Sequence, residues 1–192
     1  MTAFSRSWLR VLVVVCVWLC CAPAWSAANP RVRFNTSSGS FTVELDAERA
    51  PLTTKHFLER VRSGHYSGTI FHRVVAGFIA QGGGYDTKYA EKAPGPNVVN
   101  ESGNGLSNAR GTIGLARGAD PHGGNDQFYL NLADNGALDP QPSRWGYAVF
   151  GRVVEGMTTV DEIGNVATGE AGPLKEYAPR KQIVIESIDI LP

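Results

Sequence analysis

Cysteine is almost missing from this chain of 192 residues, and the three present, Cys16, Cys20 and Cys21, all lie near the N-terminus. Beyond them there is no thiol for a disulfide framework, a cysteine nucleophile or a thiolate zinc site. Long basic blocks are missing too, which removes the electrostatic footprint that binding to nucleic acid requires. No G-x-S-x-G, G-x-x-x-x-G-K or H-E-x-x-H occurs. Gly103-Asn104-Gly105 begins like a dinucleotide fingerprint, but Asn108 stands where its third glycine belongs. Histidine is scarce: His56, His65, His72 and His122 include no pair spaced as helical metal ligands. No metal site and no cofactor are expected.

What remains is rich in small and apolar residues. The chain is 43% hydrophobic and 19% charged, with 22 glycines and 11 prolines spread along its length. That composition suits one globular domain of many short strands and turns. The N-terminus reads differently. Arg6 and Arg10 precede an uncharged apolar run, residues 11–22, which Pro23 and a string of small residues close. The run is short of the roughly 20 residues that cross a bilayer, so residues 1–28 read as a cleaved export signal. Residues 29–192 are then the working domain, periplasmic and free of the membrane. Taking Arg6 and Arg10 from the 18 basic residues leaves 16 against 18 acidic ones, a net charge of −2.

Period-two patterns dominate residues 29–192. Strands are expected at 31–34, 41–45, 69–74, 78–81, 111–116, 127–132, 147–154 and 182–190, with a hairpin turn at Ser37-Ser38-Gly39-Ser40. Two stretches break the alternation with helical spacing. Residues 51–62 start on a proline suited to a first helical turn, and residues 157–166 repeat apolar side chains at Met157, Val160 and Ile163. Residues 84–110 lack periodicity, which in a compact domain marks a functional loop or one packed by its own side chains. The expected fold is all-β with two helices, the sheet closed into a barrel to leave no open edges.

One segment concentrates chemistry: Phe71-His72-Arg73, then Gly77-Phe78-Ile79-Ala80-Gln81-Gly82-Gly83. Alternation puts Phe71 and Arg73 on one strand face and Ile79 and Gln81 on another, with Gly77 as a bulge between the halves. Further on, Gln127 and Tyr129 share a face and Phe128 opposes them. Spacing alone leaves two readings open, a functional arginine among aromatics or an ordinary strand with its arginine outside.

These blocks, in this order, resemble the signature of the cyclophilins. Ala50-Pro51, Gly111-Thr112-Ile113 and Val149-Phe150-Gly151 agree as well, so the resemblance spans residues 31–190 and is closest to periplasmic members from Gram-negative bacteria. It implies an eight-stranded antiparallel barrel capped by two helices, whose active site is an outer groove that isomerises X-Pro peptide bonds without a cofactor. Arg73 matches the catalytic arginine, Gln81 the side chain that holds the substrate backbone, and Gln127 the one that steadies the arginine. Phe78, Ile79, Tyr129 and Leu138 match the proline pocket. Ala116 and the backbone of Arg117 match the segment that pairs with extended substrate, and Tyr147 falls where many relatives carry histidine.

The chain departs from the pattern at Ala76, Ile79, Arg117 and Tyr129, where proline, methionine, asparagine and phenylalanine are usual. Ala137 replaces a tryptophan of cyclosporin-sensitive members, which implies weak binding of that drug. The implied partners are unfolded or flexible Pro-containing polypeptides, met by a monomer. A binder of such segments without catalysis, and a metal-dependent hydrolase acting through His72, are the rival readings.

Overall fold

The computed structural model describes residues 29–192; the export signal expected at residues 1–28 lies outside them. Ten strands and two helices follow in the order β1 (Arg31–Thr36), β2 (Gly39–Leu45), α1 (Pro51–Arg62), β3 (Thr69–Val75), β4 (Ile79–Asp86), β5 (Thr112–Leu115), β6 (Phe128–Asn131), β7 (Val149–Glu155), α2 (Met157–Gly164), β8 (Thr168–Ala171), β9 (Leu174–Pro179) and β10 (Val184–Ile190). Eight strands close an antiparallel barrel in the order β1-β10-β3-β4-β6-β5-β7-β2, and β8 with β9 form a separate hairpin. All eight expected strands are present in the barrel, and both expected helices form.

Aromatic rings fill the barrel. Phe34 stacks on Phe41 at 4.6 Å between centroids, and Phe57 meets Phe150 at 5.3 Å and Phe128 at 6.0 Å. Each of these rings is at most 2% exposed, so no interior space remains for a ligand and any site must lie outside.

Three expectations need correction. Phe71 and Arg73 do not share a face. Phe71 pairs with Gly82 and Arg73 with the adjacent Gln81, so β3 carries one extra residue and the alternation slips at His72. Phe71 therefore enters the core against Phe128 while Arg73 emerges on the outer surface. Gly77 supplies no bulge. At φ 69° it turns the β3–β4 hairpin, whose loop closes with Phe78 N–H donating to Val75 carbonyl at 3.0 Å. β4 starts at Ile79 and runs on to Asp86, five residues past the expected end at Gln81, because Gly82, Gly83 and Gly84 have no side chains to show an alternation.

The aperiodic loop between β4 and β5 is held by its own polar side chains, and one of them reaches far. The Glu101 carboxylate accepts the Leu52 and Thr53 N–H groups at 3.0 and 2.8 Å and the Thr53 hydroxyl at 2.7 Å. It thereby caps α1, whose own N-cap residue Ala50 has no side-chain acceptor.

Candidate active site

β3, β4, β6 and β5 are consecutive in the barrel, and their outer faces form one continuous surface. Arg73 from β3, Ile79 and Gln81 from β4, Tyr129 from β6, and Ala116 and Arg117 just past β5 line a groove of about 240 Å³ there. Phe78 from the hairpin turn, Leu138 from a short 3₁₀ turn and Tyr147 ahead of β7 complete it. Nine of the ten expected site residues thus meet in one depression. The tenth, Gln127, lines a neighbouring cavity of about 310 Å³ that shares Gln81, Ala116 and Arg117 with the first.

Arg73 sits half-buried at one edge, its Nη1 donating to Gln81 Oε1 at 3.5 Å. Gln81 Nε2 in turn donates to Gln127 Oε1 at 2.9 Å. Gln127 therefore hydrogen-bonds Gln81, one step behind the arginine. Among the described residues no carboxylate pairs with Arg73, so its charge and most of its donors are available to a ligand. Gly84 makes room for this arrangement: a Cβ there would stand 2.5 Å from Gln127 Nε2. Nothing in the sequence pattern singled out that glycine among its neighbours.

The floor of the groove rests on a buried amide network. The Tyr129 hydroxyl donates to Asn108 Oδ1 at 2.6 Å, and Asn108 Nδ2 donates to Asp139 Oδ1 at 2.8 Å. Asn131 Nδ2 also donates to Asn108 Oδ1, while Asn135 Nδ2 donates to Asn131 Oδ1 at 2.7 Å and to the Phe78 carbonyl at 2.8 Å. Burial pushes the Tyr129 phenol far above its ordinary range, with Tyr147 and Asp139 adding to the effect, so it remains a donor. Gly114 admits that ring, since a Cβ there would lie 2.3 Å from its hydroxyl. Asn108 and Asn135 are functional supports that the sequence reading missed; only the aperiodic loop that carries Asn108 hinted at them.

Arg117 forms the ridge between the two cavities. Its guanidinium lies 4.5 Å from the Tyr147 ring centroid and donates to the carbonyls of Gly118 and Trp145, both at 2.9 Å. In the wall of the second cavity, Asp126 is buried among His56, Arg60 and His65. Burial would raise its carboxyl, but His56, the Gly95 amide, His65 and Arg60 together hold it below the usual carboxylate range. His72, the candidate ligand of the hydrolase reading, does not line either cavity. It is 4% exposed, faces Tyr85 at 4.7 Å, and is pushed down to about 4 by burial, with Arg73 adding to the shift.

The site is thus a groove on the outside of an eight-stranded barrel, in which an arginine with no carboxylate partner among the described residues stands beside an apolar pocket. Residues 31–190 match the family described as cyclophilin type peptidyl-prolyl cis-trans isomerase/CLD. The chain is 43% identical over 188 residues to peptidyl-prolyl cis-trans isomerase A of Dickeya dadantii, covering 97% of this chain and 98% of that one. It is 41% identical over 162 residues to peptidyl-prolyl cis-trans isomerase B of Escherichia coli, covering 83% and 98%. A crystal structure of a cyclophilin type isomerase from Cryptosporidium parvum superposes with a TM-score of 0.71 at 27% identity, over 85% of this chain and 98% of that one. A second structure of that protein, determined in the presence of the dipeptide Ala-Pro, gives 0.70. The chain belongs to the cyclophilin-type peptidyl-prolyl cis-trans isomerases.

Proposed function

We propose that this isomerase turns X-Pro bonds in exported polypeptides, assisting their folding, and that Arg73 is the residue that lowers the barrier. Rotation about the bond costs about 18–20 kcal/mol because the planar amide loses its resonance halfway. Uncatalysed, it takes tens to hundreds of seconds. A 10⁵-fold acceleration needs only about 7 kcal/mol of preferential transition-state binding, with no covalent step. As the bond twists, the prolyl nitrogen turns pyramidal and regains a lone pair. The fixed fork of Arg73 donates to that nitrogen and to the prolyl carbonyl together, which a lysine point charge does not reproduce.

Phe78, Ile79, Tyr129 and Leu138 hold the proline ring and exclude water, while Tyr147 closes the far wall. Gln81 divides its amide between Arg73 and the substrate backbone, with Gln127 fixing its orientation. The Ala116 N–H already donates to the Gln127 carbonyl at 2.8 Å, so an extended substrate pairs with the Ala116 carbonyl or the Arg117 backbone. The observation that carries this reading is the meeting of Arg73 with the apolar pocket in one groove, with no carboxylate on the arginine among the described residues.

An NMR exchange assay on an Ala-Pro peptide tests it. Arg73→Ala should lower kcat/KM by about 10²–10³-fold, the effect of deleting one preorganised transition-state donor. Arg73→Lys should recover little of the loss. Equal rates for wild type and Arg73→Ala, with both folded by circular dichroism, would end the assignment. The export part of the proposal rests on the N-terminal sequence pattern, and the monomeric state and polypeptide partners on the resemblance.

A further inference from the structure

The β8–β9 hairpin belongs to neither the barrel nor the groove lining, yet it carries the most unusual backbone near Arg73. Gly169 pairs with Ala178 and Ala171 with Leu174, so Lys175, Glu176 and Tyr177 together face Glu170 alone. Inside this bulge Tyr177 adopts φ 62°, a left-handed conformation that a bulky side chain occupies only under strain. The strain is held in place from both sides. Ala178 is fully buried beneath it, and at the hairpin tip a Cβ on Gly172 would come within 2.8 Å of the Tyr89 side chain. Such bulges re-aim a side chain, and here the re-aimed side chain is an aromatic ring left 42% exposed.

That ring meets the arginine. Arg73 Cζ lies 5.8 Å from the Tyr177 ring centroid, within the roughly 6 Å reach of a cation–π contact. Arg73 Nη1 also donates to Gln81 Oε1 at 3.5 Å. The guanidinium is therefore in contact with both an amide oxygen and an aromatic ring. A carboxylate in place of the ring would hold the cation more tightly but would consume two donors and neutralise the charge. A ring attracts the cation through its π-face and leaves the in-plane N–H groups to the substrate.

We propose that Tyr177 is a positioning residue for the reaction, holding the Arg73 guanidinium in its working orientation through the face of its ring. The inference rests on the reading of Arg73 as the acting arginine. Tyr177→Leu should lower kcat by about two- to fivefold, the factor a single exposed cation–π contact supports, with KM unchanged. Tyr177→Phe, which keeps the ring, should restore the wild-type rate. In an Arg73→Lys background Tyr177→Leu should change the rate much less.

The Arg73 Nε–H resonance supplies a readout independent of rate. It should shift when the ring is lost in Tyr177→Leu and stay in place in Tyr177→Phe. Tyr177→Gly accepts the positive φ without strain, so it should keep or raise the unfolding midpoint while losing activity as Tyr177→Leu does. The proposal is overturned if Tyr177→Leu matches wild type in kcat and resonance, if Tyr177→Phe falls as far as Tyr177→Leu, or if the Tyr177→Leu effect persists undiminished with Arg73→Lys. A wild-type rate in Arg73→Ala would instead remove the reading of Arg73 itself, and Tyr177 would have nothing to act through.

Discussion

His72 and Arg73 are neighbours in the chain with opposite fates, one buried against Tyr85 and the other half-buried at the groove. Arg73 keeps its charge at the groove, while His72 is buried beside that charge with Nδ1 lacking a hydrogen-bond partner. Its folded-state pKa of about 4 lies below the ordinary value of 6.5. The unfolded chain therefore takes up this proton first as the solution is acidified. The resulting stability is fully present above pH 6.5 and is lost as pH falls towards 4, amounting to about 3 kcal/mol at most. Urea midpoints measured from pH 7.5 to 4.5 should fall across that window, and His72→Gln should flatten the decline. Asp126, with its lowered carboxyl, adds a further loss only at more acidic pH, through its folded pKa. That Arg73, Gln81 and Tyr129 meet in one groove was legible in the sequence only through the resemblance, which residue type and order carry. The roles of Asn108 and His72 were not legible, because what they do depends on partners such as Tyr129 and Tyr85, which are distant in the chain.

At the level of elements, the first helix shows how a local signal and a distant one combine. Pro51 fixes the start, and the sequence places that boundary where the structure has it. The missing cap comes from Glu101, across the aperiodic loop, and no local pattern announces it. Glu101→Ala should cost about 1 kcal/mol, the usual worth of an N-cap, measured by chemical denaturation. Hydrogen exchange should rise at the amides of Leu52 and Thr53 before it rises in the barrel strands. The β8–β9 hairpin escaped the sequence reading for a different reason. Of its strand residues only Ala178 and Pro179 are buried, so neither face builds the alternation that marks a strand against a core. The expected end of α2 at residue 166 was two residues long; the helix stops at Gly164, against which Leu132 packs with no space for a Cβ.

For the molecule as a whole, the N-terminal pattern makes a prediction of its own. Expressed in a Gram-negative host, the chain should be recovered from the periplasm beginning near residue 29, as N-terminal sequencing of the purified protein would show. A cytoplasmic product that still begins at Met1 would refute export. The barrel architecture was legible because eight alternating runs separated by glycine or proline leave few other ways to bury one face each. Its outer groove was legible only through the resemblance, since alternation tells inside from outside but does not say which outer face is concave. The solid aromatic interior has one further consequence. Because the groove lies open on the surface of a filled barrel, a substrate proline need not sit near a chain end. It can be turned in the middle of a long polypeptide, or in an exposed loop of a half-folded one, with no door in the enzyme to unlatch.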